Sequence, residues 1–270
     1  MRVLALGALV LALAGCTLFT GPTDAQLERA DRTGAELAAL EGVTDAWASY
    51  SVGLDVGDDL RASVEPDAGT TPVQLLELVP RINAVIDDAG FNGSARTVTI
   101  ELGDDSVFHY YAPRREEFDV DDEVAQYVQW WSDPRIASID NTNLFSVVVQ
   151  PGASVREVYS EIVEAGPTAL TTDRTLRVAD PSGYMLNADR ADFAADRLDA
   201  AEEIAAIPGL TQCAFGISQP GEGPIAYLYS CYGAGELGQP VNDILDRYNQ
   251  RDDTEVQLYD GEWVTTNAVP

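Results

Sequence analysis

The chain has 270 residues, with 45 acidic side chains, 16 basic ones and a single histidine, for a formal net charge of −29. Every basic residue is arginine and lysine is absent. Such acidity repels phosphate backbones and anionic headgroups, which argues against nucleic-acid binding and an electrostatic grip on a membrane. One histidine excludes a His-rich metal site, and without lysine no S-x-x-K nucleophile can form.

The chain opens with Met1-Arg2 and an apolar run from Val3 to Gly15. Thirteen helical residues rise about 20 Å, short of the roughly 30 Å hydrocarbon core, so the run reads as a secretory h-region rather than a transmembrane helix. It ends in Leu13-Ala14-Gly15-Cys16, which resembles a bacterial lipobox. That resemblance implies a diacylglyceryl group on the Cys16 thiol and cleavage just before it. The expected layout is a signal peptide over 1–15 and a lipid-anchored linker over 16–23. The mature chain of about 255 residues would then sit on the extracytoplasmic face of the cell membrane.

The mature part is predicted to be an α+β fold built from a unit of helix, strand, strand, helix, strand, strand, used three times over 24–115, 116–189 and 190–270. Its sheet should be antiparallel-rich, with helices on one face. In the first unit a helix over 24–40 leads into a hairpin over 43–65. A second helix follows, with Leu75, Val79, Ile82 and Ile86 on one face. Thr71 before Pro72 starts that helix, Gly90 ends it, and Pro80 should kink it. A strand pair over 96–112 closes the unit, and "APRREEFDVDDE", 112–123, reads as a surface linker.

The second unit repeats this order. A helix over 121–131 precedes a hairpin over 136–150. The next helix carries Val155, Tyr159 and Ile162, with Ser154 and Glu157 as a capping box and Gly166 at its end. A strand pair over 174–188 follows. The third unit has a helix over 190–206, a hairpin over 210–232, a helix with Leu237, Val241, Ile244 and Tyr248 entered through Gly235-Glu236, and a strand pair over 254–268.

Cys213 and Cys231 lie symmetrically about Glu222, inside the turn sequence Pro220-Gly221-Glu222-Gly223-Pro224. Two cysteines equidistant from a hairpin tip face each other, so a disulfide is expected. Closing a loop of about 19 residues, it is worth about 3 kcal/mol.

"RLDAAEEIAAIPGLTQCAFGIS", 197–218, and the hairpin "RTLRVADPSGYMLNA", 174–188, are similar to the helix-PGV-strand end and central hairpin of BON domains. Ala188 and Ala112 stand where that family carries a strand glycine. The resemblance is best over 154–218. It implies an envelope-associated module that contacts lipid or peptidoglycan surfaces and transfers no active site.

No stretch carries a catalytic or cofactor signature, so no catalytic, cofactor or metal residue is assigned. His109 should lie on a strand, sharing a face with Val107 and Tyr111, with Phe108 and Tyr110 opposite. The acidic clusters at Asp55–Asp59 and Asp119–Glu123 offer oxygen ligands of the type calcium takes, but neither has the spacing of an EF-hand loop; they read as solvated turn and linker charges. In the pair Trp130-Trp131, Trp131 continues the buried stripe of Val124, Tyr127 and Val128. Trp130 turns away, so Trp130 beside Tyr127 is a possible contact patch. These readings lead to a non-enzymatic, membrane-anchored lipoprotein that binds an envelope protein or cell-wall component. The alternatives are an extracytoplasmic hydrolase using carboxylates in an inter-module cleft, or a ligand-capturing lipoprotein of a transporter. A deep cleft of convergent carboxylates would favour the hydrolase; a flat, aromatic-bearing sheet face would favour binding.

Overall fold

The computed structural model describes residues 21–53, 57–91, 94–111, 120–165, 175–188, 195–218, 226–233, 237–250, 254–259 and 263–265. Among them the chain forms an α+β fold in which helix and strand pair alternate. The helices are α1 (Asp24–Ala38), α2 (Pro72–Asp88), α3 (Val120–Trp131), α4 (Val155–Glu164), α5 (Ala195–Ala205) and α6 (Gly238–Arg247). The hairpins between and after them are β1 (Val43–Gly53) with β2 (Gly57–Pro66), β3 (Ala95–Glu101) with β4 (Val107–Tyr111), and β5 (Ile136–Asp140) with β6 (Phe145–Val149). Then come β7 (Leu176–Ala179) with β8 (Met185–Ala188), β9 (Leu210–Ser218) with β10 (Ala226–Gly233), and β11 (Thr254–Tyr259) with β12 (Trp263–Thr265).

All twelve strands join one sheet in strict chain order, β1 to β12. Each hairpin pairs antiparallel, and each strand–helix–strand connection brings its two strands side by side in parallel. The sheet is therefore mixed, and it runs unbroken through the positions expected to separate three units.

Local chemistry starts the helices where the sequence suggested. Thr71 accepts from the Gln74 backbone N–H while the Gln74 side chain accepts from the Thr71 backbone, a complete capping box, and Thr23 and Gln26 repeat it on α1. Ser154 Oγ accepts from Glu157 N at 3.2 Å. Pro80 lies inside α2, and Gly90 follows its end with φ +72°. Gly34 lets α1 lie directly on β1: a Cβ there would meet the Ala48 nitrogen at 2.8 Å.

Register fixes which residues share a face. Leu60, Val98 and Tyr110 are neighbours in the pleat with Val64, Ile100 and Phe108, and the same side continues through Ile139, Val147, Val178, Leu186, Phe215, Tyr229 and Val256. All of these are buried. The helices lay their apolar stripes on this one side: Tyr110 donates to Asn83 on α2, Phe108 packs at a tilt against Tyr127 of α3, and Arg197 of α5 sits 3.8 Å over the Tyr227 ring and donates to Thr254. Each fully buried aliphatic or aromatic side chain contributes about 1.5–3 kcal/mol.

This arrangement has a topological consequence. Strand direction reverses at every hairpin while the sheet always advances the same way, so helices on one face require successive crossovers of opposite hand. Crossovers are right-handed in about 98% of cases. Here the apolar pattern overrides that preference: uniform right-handedness would place alternate helices on the polar side and leave stripes such as Leu75, Val79, Ile82 and Ile86 with nothing to bury against.

The junction between β4 and β5 is thin, with a single bridge between Val107 and Asp140. Side chains complete it. Asn141 accepts from His109 N at 2.6 Å and donates to His109 O at 2.9 Å, and Ser106 Oγ accepts from Ile139 N at 3.1 Å. The Asn141 amide thus supplies the donor and acceptor that a strand backbone would have supplied. Both Asn141 and Ser106 are fully buried.

Candidate functional site

Among the described residues no helix lies on the second side of the sheet, which carries the residues that alternate with the core. Its first four strands form a shallow depression of about 470 Å³ lined by Trp47, Asp59, Arg61, Thr99, His109 and Tyr111, among others. Register places these in rows. Trp47, Ser63, Thr99 and His109 make one row across β1 to β4, and Ser49, Arg61, Thr97 and Tyr111 make the next. Trp47 is 53% exposed and Tyr111 50% exposed, so two aromatic rings stand at opposite margins of a polar floor.

The floor is internally ordered. Arg61 Nε donates to Asp59 Oδ2 at 2.6 Å, and that hydrogen bond, with the carboxylate charge, raises the guanidinium further above its ordinary range. Asp59 is buried, and its Oδ1 has no hydrogen-bond partner among the described residues. Ser63 donates to Glu101 at 2.8 Å, and Thr99 Oγ1 lies 3.0 Å from His109 Nδ1. The His109 and Tyr111 rings meet edge to face at 5.3 Å. The two carboxylates present are therefore held by an arginine and a serine. The arrangement is suited to hydrogen bonding and ring stacking against a ligand laid across the strands.

A second aromatic pair stands on the same side near the far end of the sheet. Tyr232 and Tyr259 stack with centroids 4.8 Å apart, and Tyr232 is half exposed. Between the two patches the open side carries small and polar residues such as Ser138, Ser146, Ala214 and Ser230, all half-buried.

The residues singled out from sequence distribute as follows. Cys213 and Cys231 are directly opposed on β9 and β10 and form the disulfide, buried on the covered side. His109 shares its side with Val107 and Tyr111, opposite Phe108 and Tyr110, and is buried. The proposed contact patch at Trp130 and Tyr127 is corrected. Tyr127 is fully buried and donates to Ile139 O at 3.1 Å, and Trp130 is buried too. The reason is lateral packing: α3 lies against α2 as well as on β4 and β5, so its flank is covered along with its underside. Trp131 is the half-exposed member of the pair, with its indole N–H donating to Asp104 at 2.8 Å. Burial raises the Tyr127 and Tyr110 hydroxyls well above the usual phenol range.

In the acidic clusters, Asp58 accepts from Tyr50 at 2.6 Å and Asp59 holds Arg61, while Asp121, Asp122 and Glu123 form the first turn of α3, where negative charge suits the helix dipole. Among the described residues no group of three or more His, Cys, Asp or Glu could hold a metal ion, and no helix is long and apolar enough to cross a membrane. Cys16 and the signal segment, residues 112–119 of the linker expected over 112–123, Gly166, the Pro220–Pro224 turn and Gly235-Glu236 lie outside the described residues.

Sequence reading missed Trp47 and Tyr111. The signal was present in "VTDAWASYSV", where a tryptophan occupies the polar phase of an alternating strand with Asp45, Ser49 and Ser51. No protein-family model matches the chain, and no curated protein or solved structure matches it either.

Proposed function

We propose that this chain is a lipoprotein held at the extracytoplasmic face of the cell membrane by acyl chains on Cys16, and that it binds an envelope protein or cell-wall component on the open side of its sheet. The observation that carries the binding role is the one-sidedness of the fold. Among the described residues six helices cover one side, and the other presents a depression flanked by exposed Trp47 and Tyr111. Solvent-facing aromatics beside ordered polar groups are the composition of contact sites. The lipobox resemblance and the BON-like stretches support the location and an envelope partner, and the shared helix and strand spacing supports three modules over 24–115, 116–189 and 190–270. The hydrolase reading gains little from Asp59 and Glu101, because each is already engaged by a neighbouring side chain.

The test is recovery of a partner from detergent-solubilised envelope by the mature chain and by a Trp47→Ser/Tyr111→Ser double variant. A partner retained by the first and lost by the second is expected. Equal recovery removes the open side as the binding surface. Mass spectrometry of the N-terminal peptide checks the anchor: acyl chains on Cys16 are expected, and an intact Met1 would overturn the location.

A further inference from the structure

The two edges of the sheet are unlike. The described part of β12 is three residues long, a length at which an edge offers little to pair with. β1 has eleven residues and pairs with β2 through an unbroken register from Asp45 to Gly53, with its one irregularity at Val43/Asp45. Among the described residues no strand lies on its outer side. Of the devices that usually protect such an edge, this one has the irregularity at its first residues and a single charge, Asp45; residues 43–53 contain no proline and no lysine. Trp47 and Val52 on this strand are among the exposed large hydrophobic residues.

Charge selects the occupant. Residues 41–67 carry seven carboxylates against one arginine, and that arginine, Arg61, is already paired with Asp59. A second copy of the chain would bring the same excess to the same edge, on top of a formal −29 per copy, and like charges across adjacent strands oppose pairing. A cationic strand would be drawn to it.

We propose that the outer edge of β1 accepts an extended, basic segment of a partner protein as an added strand. Main-chain hydrogen bonds to β1 hold it. Its alternate side chains continue the open side beyond Asp45, Trp47, Ser49 and Ser51, where a lysine or arginine can lie over the Trp47 ring. This goes beyond the open-side reading, because the contacts are made by the backbone of the edge and not by the depression.

The probe is an octapeptide of alternating lysine and valine with blocked ends, titrated by fluorescence anisotropy against the mature chain. Two N-methylated versions separate edge pairing from any other mode. Methyls on the lysine nitrogens block one edge of the extended peptide, and methyls on the valine nitrogens block the other. One version should bind at least about tenfold more weakly than the parent and the other close to it, because the edge-paired peptide turns a single row of N–H groups toward β1. A glutamate–valine counterpart should fail to bind. Equal binding of the two methylated versions overturns the edge and leaves the depression as the peptide's place. Absence of binding by the parent peptide, equal binding by the acidic one, or concentration-dependent dimerisation that the peptide competes away overturns the proposal outright.

Discussion

The two sides of the sheet are written by adjacent residues and behave as different materials. Val98 and Ile100 are fully buried under helices, while Thr97 and Thr99, which alternate with them, are half-exposed on the open side. Phe108 lies on the covered side, and Tyr111, three residues on, stands half exposed on the other. Even the polar groups of the covered side are built in: Arg96 holds Asp87 of α2 at 2.7 Å, and Arg197 is sandwiched between Tyr227 and Thr254. On the open side polar groups are ordered but reachable. Stability is concentrated on one side, which leaves the other free to vary its chemistry.

The comparison breaks most visibly at Phe108, which is fully buried against Tyr110 and Tyr127. Phe108→Ala should cost about 3–5 kcal/mol, from lost transfer energy and the cavity left among rings that cannot collapse into it. Denaturant unfolding measures this. A cost under about 1 kcal/mol would mean that the covered side is not close-packed.

The next largest effect is expected at a point where the sheet itself is weakest. Asn141→Leu removes the acceptor of His109 N and the donor to His109 O, two hydrogen bonds at a buried position. At about 1–2 kcal/mol for each group, the loss is about 2–4 kcal/mol. Hydrogen exchange locates it: the His109 amide should lose protection before the amides of β3, which sits in full ladders on both sides. Uniform loss across the sheet would mean that residues 24–111 and 120–165 do not part at this junction.

Much of this was legible in the chain. Period-two alternation and capping residues give every strand pair and helix within a few residues: the expected 43–65 hairpin is Val43–Gly53 with Gly57–Pro66, and the expected 121–131 helix is Val120–Trp131. The cysteine pair was readable because symmetric spacing about a turn determines register. What alternation cannot encode is the order of strands in the sheet, since parallel neighbours across a helix leave no mark in the strand's own period. Nor could it give lateral packing, and so it misplaced Trp130: a helical wheel sees the sheet beneath α3 and not α2 beside it. Asn141 was invisible for a similar reason. Its role depends on β4 arriving beside β5, not on anything in "SIDNTNLF".

A covered-side staple gives the third effect. Cys213 and Cys231 are buried beside Phe215 and Tyr229, and their bond closes a long hairpin. Replacing both by alanine should cost about 3 kcal/mol through the freed unfolded chain. The melting temperature should fall by a similar amount when wild type is heated with reductant and should not change with reductant in the variant.

The smallest effect is the most informative about the open side. Tyr111 is half exposed, stands at the end of β4 and meets His109 only edge to face. Tyr111→Ser removes no close-packed contact and leaves no buried polar group unpaired, so its stability should stay within about 0.5 kcal/mol of wild type. Phe108→Ala, three residues away on the same strand, should differ from it severalfold in unfolding free energy. If the two variants destabilise alike, Tyr111 is part of the packing that holds the sheet and its exposure has no bearing on a ligand. If Tyr111→Ser unfolds like wild type but no longer holds an envelope partner, the ring is maintained at the surface by something other than folding. That combination is what separates a contact residue from one merely left over at the edge of a core.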